Sequence, residues 1–332
     1  MPKGFTFFIF YFYAINIYTL KSILSRHIQH TKPNYLYKVD TTKSIRALVR
    51  LCDDPDENIY GHVRDKLISH GTAAIPFLEA SWEEEDYGLL FQSRIEDLIH
   101  DIQFHAVKED LKEWIASPNK DLLDGALLIA RYQYPNFDEE KTRGEIKRIR
   151  DSIWLELNNR QTAFEKVRIF NKVFYGEQNF SGNSKDYNSP MNSYLNTVIE
   201  TRKGNPLSLC ILYSVIAQSL NMPVYGVNLP NHFILTYLDE NNINPFIKDE
   251  NKHGALFYIN AFSKGGIFEE PEIDEFLKGL NKPKSREYYE PCSNSAIIIR
   301  MLTNLIASFQ QSGSADRVKE LVELRNLFDF KF

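Results

Sequence analysis

The stretch GNPLSLCILYSVIAQSLNMPVYGVNLPNHFILTY constrains the fold most, because the period of its apolar residues changes half-way along. Positions Pro206 to Leu220 are apolar nearly all round, which indicates a helix that is buried on every side. Val224 to Leu229 and His232 to Leu238 then alternate with period two and predict strands, as does Ala255 to Phe262 further on. The stretch therefore predicts a buried helix packed against a small antiparallel sheet.

Most of the remaining chain shows helical spacing, so the predicted fold class is α+β and mostly helical. Between residues 44 and 117, short amphipathic helices meet at glycine turns and resemble HEAT-type helical repeats. One of these helices is predicted to have Asp54 as N-cap, Pro55 at N1 and Gly71 as its stop. We divide the chain into an N-terminal extension (1–43), this helical region (44–117), a core (118–285) and a C-terminal helical hairpin (286–332).

The N-terminal extension carries an uncharged hydrophobic segment from Phe5 to Leu20, followed by basic residues. As a helix the segment would span roughly 24 Å, which is short of the ~30 Å hydrocarbon thickness of a bilayer. The alternatives are a membrane anchor, an export signal and an over-extended start that adds no function. The basic residues follow the segment, so the positive-inside rule would leave the rest of the chain in the cytoplasm even if it inserts.

Charge and cysteine content exclude several classes of protein. The net charge is -5 and the pI about 6.0, which gives no support for nucleic-acid binding. The three cysteines, Cys52, Cys210 and Cys292, are far apart and show no CxxC spacing, which argues against disulfides or structural zinc and favours a reducing compartment. No cofactor or metal is predicted, since the histidines of the helical region fall on different helix faces: His62, His70, His100 and His105.

The order glycine turn, buried helix, strand with a histidine is the way in which papain-like hydrolases carry their catalytic groups. The thiol stands at the start of such a helix, where the helix dipole and free N–H groups stabilise the thiolate. A neighbouring strand supplies the imidazole base, and a carboxylate or amide on the next strand fixes its tautomer. Cys210 lies in the buried helix and His232 opens the following predicted strand, which raises the question of whether the chain carries such a site.

Four sequence segments resemble the transglutaminase-like superfamily and, within it, the bacterial SirB-type branch of invasion-regulator-like proteins. The segments are RYQYPNFD (Arg131–Asp138), NSYLNTVIETRKGNPLSL (Asn192–Leu209), YGVNLPNHFIL (Tyr225–Leu235) and YINAFSKGG (Tyr258–Gly266). The resemblance implies a transglutaminase-like, papain-like core with a tetratricopeptide-like tail. Residues 286–332 hold one helical hairpin where the branch carries a longer repeat, which makes them a truncated repeat.

Carrying the family's catalytic positions over to this chain gives a mixed result. The nucleophile falls on Pro206, which has no reactive side chain, whereas the base falls on His232. The orienting carboxylate falls on Asn260, where the branch usually has an aspartate. The resemblance thus implies a cleft that has lost its nucleophile.

Cys210 leaves an enzymatic alternative open. It lies one helical turn beyond Pro206, so Cys210, His232 and Asn260 would copy the papain set in identity and order. One turn displaces the sulfur by about 5 Å and moves it into apolar surroundings, which favours a packed core cysteine instead. Ser208 is a weaker candidate, because no GxSxG elbow surrounds it.

These observations predict a cytoplasmic, non-catalytic binding, scaffold or regulatory protein that keeps a degenerate cysteine-hydrolase cleft. The predicted cleft residues are Asn205, Pro206, Asn228, His232 and Asn260. A protein or peptide partner is expected, with Glu269 and Glu270 near the rim of the cleft, and the oligomeric state is not predicted. The alternatives are a cysteine amidohydrolase, protease or acyltransferase that uses Cys210, His232 and Asn260, and an adaptor that contacts the membrane through Phe5–Leu20.

Overall fold

A computed structural model describes residues 35–82, 88–239 and 254–329, with side chains from residue 42 onward. The chain divides into two compact units. Of the described residues, the first comprises 35–70, 76–82 and 88–95, and the second comprises 71–75, 96–239 and 254–329. The segment boundaries predicted at residues 43, 117 and 285 stay predictions, as does the hydrophobic segment Phe5–Leu20, which lies outside the described residues.

Helices make up most of the described chain. They are α1 (Tyr35–Arg50), α2 (Glu57–Ser69), α3 (Ile75–Trp82), α4 (Leu89–Ala116), α5 (Leu122–Gln133), α6 (Glu139–Trp154), α7 (Ala163–Asn171), α8 (Leu195–Thr201), α9 (Pro206–Ser219), α10 (Glu270–Gly279), α11 (Asn294–Gln311) and α12 (Ala315–Asn326). None of the helices in the described ranges combines the length and the apolar character needed to cross a bilayer.

The first unit is built around a buried arginine. Arg94 is only 4% exposed, and its Nη1 donates hydrogen bonds to the carbonyls of Cys52 (2.9 Å) and Asp54 (2.7 Å). Its Nη2 donates to Glu57 Oε1 at 2.7 Å. The guanidinium therefore ties the turn between α1 and α2 to the start of α4.

The predicted start of α2 is wrong by two residues. Asp56 is the N-cap, because its Oδ1 accepts a hydrogen bond from the Asn58 N–H at 2.8 Å. Asp54 Oδ1 instead accepts from the Asp56 N–H at 2.9 Å, which forms a side-chain turn just before the helix. The predicted stop is confirmed, since α2 ends at Ser69 and Gly71 follows with a φ of +59°.

The second unit contains the strands, which form two sheets. They are β1 (Ser181–Gly182), β2 (Lys203–Gly204), β3 (Val224–Val227), β4 (Ile234–Leu238), β5 (Ala255–Asn260) and β6 (Gly266–Phe268). β1 and β2 form a short parallel pair, and the other four form an antiparallel sheet in the order β3-β4-β5-β6. Three of these four strands are predicted by the sequence, whereas β6 is not, because its first residue, Gly266, ends the turn-like segment Ser263–Gly266.

The predicted position of His232 at the start of a strand is also wrong, because β4 begins at Ile234. His232 lies in the preceding loop, where Asn231 has a φ of 59°. A left-handed residue interrupts the extended backbone, so the alternation of the strand cannot continue through it. The histidine is consequently held by a loop.

Helix α9 occupies the centre of the second unit, as its sequence predicts. Its side chains from Pro206 to Tyr213 are buried, and it packs against α5, α6, β3 and β4. The hairpin of α11 and α12 joins the same core through Ile298, Leu302 and Leu324. The predicted fold class, a mostly helical α+β protein with a small antiparallel sheet, is confirmed.

Candidate functional site

The start of α9 is fixed by a capping box. Asn205 Oδ1 accepts a hydrogen bond from the Ser208 N–H (2.8 Å), and Ser208 Oγ accepts one from the Asn205 N–H (3.0 Å). Ser208 Oγ also donates to the Asn192 carbonyl at 2.6 Å. A Cβ on Gly204 would lie 2.6 Å from this hydroxyl, so any larger residue at this position would force the hydroxyl or the backbone to shift. The hydroxyl of Ser208 thus connects the start of α9 to the loop before it through hydrogen bonds.

Pro206 is the first residue of α9, at the position that the resemblance assigns to the nucleophile. Its fixed φ suits the N1 position, and its missing N–H costs nothing there. The N–H of Ser208 is capped, whereas the Leu207 N–H has no acceptor among the residues that the structure describes. The helix therefore begins with a proline ring and one free first-turn donor.

Cys210 is fully buried, one turn further along α9. Its Sγ donates a hydrogen bond to the Phe233 carbonyl at 3.6 Å. Burial raises the pKa of this thiol well above its usual value, although a hydrogen bond from the Ala261 backbone opposes the shift. This environment favours the neutral thiol, which is neither a nucleophile nor a metal ligand.

The other cysteines are also held in the neutral form. Burial raises the pKa of Cys52 to about 12 and that of Cys292 to about 11. In residues 35–82, 88–239 and 254–329, no group of three or more His, Cys, Asp or Glu side chains is arranged to hold a metal ion.

His232 is half-buried, and its ring is close to Asn260 and Arg300. Burial lowers the pKa of His232, the positive charge of Arg300 lowers it further, and a hydrogen bond with Asn260 opposes both effects. The imidazole is therefore neutral at pH 7, because its ordinary pKa is already about 6.5.

Asn260 has a second, structural role at the end of β5. Its Oδ1 accepts hydrogen bonds from the Phe262 and Ser263 N–H groups, each at 3.1 Å. The side chain thereby caps the short 3₁₀ turn Ala261–Ser263. Its amide is held in place independently of any contact with the imidazole.

Arg300 is the residue of this site that the sequence interpretation missed. It lies on α11, and its Nη1 donates to Asn228 Oδ1 (3.0 Å) and to the Leu229 carbonyl (3.3 Å). Its Nε donates to Asn304 Oδ1 at 3.3 Å. Burial lowers the pKa of Arg300, but a guanidinium stays protonated at neutral pH.

These elements enclose a cleft of about 170 Å³, which we call the α9 cleft. Its walls are the first turn of α9, the loop 231–233, the loop residues Tyr187 and Asn188, and the side of α11 that runs from Arg300 to Gln311. None of its described lining residues is acidic, and Glu269 and Glu270 are not among them. The α9 cleft therefore carries one fixed positive charge and several neutral polar groups.

The structure brings together three of the five predicted cleft residues, because Asn205, Pro206 and His232 line the α9 cleft. Asn228 and Asn260 do not line it, but Asn228 accepts a hydrogen bond from Arg300, and Asn260 affects the pKa of His232. Of the alternative catalytic set, Asn260 is near enough to His232 to affect the pKa of the imidazole, whereas Cys210 lies in the core and donates a hydrogen bond to the Phe233 carbonyl.

Comparison with known families agrees with this geometry. Residues 140–303, from α6 to the middle of α11, match the model described as the transglutaminase-like superfamily. The chain carries a transglutaminase-like domain. The match includes the first turn of α9, His232, Asn260 and Arg300, so the α9 cleft belongs largely to this domain.

Curated relatives of the chain place it beside the SirB-type branch, which confirms the predicted resemblance. A UPF0162 protein of Xylella fastidiosa is 28% identical over 213 residues, covering 59% of this chain and 67% of that protein. Protein SirB1 of Salmonella typhimurium is 24% identical over 196 residues, covering 58% and 68%. F-box only protein 21 of Homo sapiens is 30% identical over 149 residues, covering 43% of this chain but 22% of that protein. No solved structure matches the chain.

Proposed function

We propose that the transglutaminase-like domain is a non-catalytic recognition module, whose α9 cleft binds a protein or peptide segment. The observation that carries the proposal is Pro206 at the first position of α9, where the family's nucleophile would stand. The nearest substitute, Cys210, is buried, and its thiol donates a hydrogen bond to a backbone carbonyl. Among the described residues, the lining of the α9 cleft has groups that can form hydrogen bonds to a ligand but no cysteine that could act as a nucleophile.

The polar groups of the α9 cleft suit an amide. Asn188, Asn231 and Asn304 offer both donors and acceptors, and the neutral imidazole of His232 offers one of each. A peptide backbone or a carboxamide side chain presents the same combination in return. The module would thus hold a segment of a partner protein and act as a scaffold or regulator.

Thiol labelling tests the non-catalytic part of the proposal. The full chain is treated with iodoacetamide at pH 7.5, and labelling of each cysteine is followed by mass spectrometry with and without urea. We expect Cys292, the half-buried thiol, to react first and Cys210 to react only under denaturing conditions. Rapid labelling of Cys210 that His232→Ala suppresses would instead support a hydrolase or acyltransferase that uses Cys210, His232 and Asn260.

Peptide titration tests the binding part. The probe is the capped peptide Ac-Ala-Gln-Ala-NH2, and the readout is the NMR signal of ¹³C-labelled histidine, in which His232→Gln identifies the resonance of His232. We expect the signal of His232 to shift in a saturable manner. If neither this peptide nor its acidic counterpart Ac-Ala-Glu-Ala-NH2 shifts the signal at millimolar concentration, the peptide-binding cleft is contradicted.

A cytoplasmic location is part of the proposal, supported by three cysteines that are all free. Fractionation of cells that express the full chain tests it. Recovery in the supernatant is expected, whereas a membrane pellet that resists high salt would favour the adaptor tethered through Phe5–Leu20.

A further inference from the structure

Arg300 differs from other partly buried arginines of the second unit in having no acidic partner. Arg131 pairs with Asp110, Arg202 with Glu145, and Arg317 with Glu320. The hydrogen bonds of Arg300 go to neutral oxygens, and no carboxylate of the described residues lies within 4.0 Å of it. It is also the one charged residue in the sequence of α11. A half-buried charge of this kind is costly unless a counter-charge compensates it.

One amino group of the Arg300 guanidinium, Nη2, donates no hydrogen bond to a described residue. The hydrogen bonds of the guanidinium to described residues use Nη1 and Nε instead. Asn228 and Asn304 hold the side chain from two sides, so its orientation is fixed before a ligand arrives. The Nη2 amino group can therefore donate to a carboxylate oxygen, in a hydrogen bond that the charge of the guanidinium strengthens.

The surroundings of Arg300 favour a negative ligand. The lining of the α9 cleft has no acidic side chain that would compete for the guanidinium. The first turn of α9 adds the free N–H of Leu207 and the positive end of the helix dipole. The neutral imidazole of His232 keeps one N–H group, which can donate a hydrogen bond to an oxygen of the ligand.

The size of the α9 cleft limits what can enter it. A volume of about 170 Å³ is below the roughly 300 Å³ at which sites for drug-sized ligands begin. The cleft can therefore receive about one amino-acid residue of a partner, with the remaining residues outside.

We propose that Arg300 binds a carboxylate of the peptide segment that occupies the α9 cleft, with the Leu207 N–H as a second donor. The proposal rests on the function proposed above and adds the charge of the ligand to it. The carboxylate comes from the end of a polypeptide chain or from an acidic side chain.

Four capped tripeptides separate these sources. Ac-Ala-Ala-Ala-OH carries a terminal carboxylate and Ac-Ala-Glu-Ala-NH2 a side-chain carboxylate, and Ac-Ala-Ala-Ala-NH2 and Ac-Ala-Gln-Ala-NH2 are their neutral counterparts. Titration of the full chain, followed at His232 by NMR, should give a Kd at least ~10-fold lower for one acid than for its matched amide. The acid that shows this preference identifies the source.

Two substitutions at Arg300 and one control complete the test. Arg300→Gln should abolish the preference for the acid, while Arg300→Lys, which keeps the charge but loses the planar fork, should retain part of it. Arg286→Gln removes an exposed charge outside the α9 cleft and should leave the preference unchanged. Thermal unfolding of each variant establishes that it is folded before its Kd is compared.

The outcomes distinguish this proposal from the function on which it rests. Equal binding of acids and amides, or a preference that survives Arg300→Gln, overturns the role of Arg300 and leaves the peptide-binding cleft standing. If none of the four peptides binds, both proposals are wrong.

Discussion

The hydroxyl of Ser208 should contribute measurably to the stability of the second unit, because it links the start of α9 to the loop before it. The substitution Ser208→Ala removes two hydrogen bonds, one accepted from the Asn205 N–H (3.0 Å) and one donated to the Asn192 carbonyl (2.6 Å). Ser208 is 1% exposed, so water cannot easily replace either bond.

The size of the effect follows from what remains after the substitution. A hydrogen bond contributes about 0.5–1.5 kcal/mol, which gives an upper limit of about 3 kcal/mol for two. The Asn205 N–H also donates to the Asn192 carbonyl at 3.3 Å, so neither group is left without a partner. Alanine is moreover the better helix former. We therefore expect the free energy of unfolding to fall by about 1–2 kcal/mol.

Ser214 provides a matched control on the same helix. It is also 1% exposed, but its Oγ donates to the Ile211 carbonyl at 3.1 Å, within α9. Ser214→Ala should change the free energy of unfolding by less than about 0.5 kcal/mol, because it disturbs no contact between elements.

Urea unfolding of both variants, followed by far-UV circular dichroism, measures the difference. In a thermal melt followed by the same signal, the midpoint should fall by about 2–8 °C for Ser208→Ala, at about 2–4 °C per kcal/mol for a domain of this size. If Ser208→Ala costs no more than Ser214→Ala, the capping box does not hold α9 in place and the argument is refuted.

Three further substitutions test other parts of the structure by urea unfolding. Gly204→Ala should cost about 1–3 kcal/mol, since its Cβ would meet a side-chain oxygen at 2.6 Å, whereas Gly144→Ala, with open space around it, should be neutral or stabilising. Equal effects at both glycines would contradict the crowding. Burial lowers the pKa of His232, so the unfolded state takes up a proton that the folded state rejects, and stability should fall as the pH drops below about 6.5. His232→Gln should show less of this loss between pH 8 and pH 5, and an unchanged profile would argue against it. Arg94→Met should destabilise the first unit by about 2–3 kcal/mol, because two backbone carbonyls lose their donor, while Arg148→Met, at a 67% exposed side chain, should change stability by less than about 0.5 kcal/mol. A small effect at Arg94 would mean that its hydrogen bonds do not hold the unit together.

The central elements were predictable because their signals are local. The change from an apolar helix to period-two alternation is visible in the sequence around Pro223, and α9 and β3 lie on either side of it. β6 was missed because it has only three residues, Gly266–Phe268, which begin with a residue typical of turns. The N-cap of α2 was misplaced because Asp54 and Asp56 both make turn hydrogen bonds, and spacing alone does not tell which one begins the helix.

The candidate site was only partly predictable because half of it depends on contacts between distant segments. Pro206 and His232 follow from the local pattern and the family resemblance. Arg300 reaches them from α11, and nothing near it in the sequence points to His232. One signal was available, since a single arginine among the apolar residues of α11 is unusual enough to indicate a specific role.

The position of α11 in the chain also decides when the α9 cleft is complete. Every other wall of the α9 cleft precedes α11 in the chain. When β6 has just left the ribosome during synthesis, the cleft is therefore open on one side and lacks Arg300. The peptide binding proposed above would require Asn294–Gln311 to have docked on the core. Under that proposal, a partner that needs Arg300 would bind only chains in which α11 has reached its place against the first turn of α9.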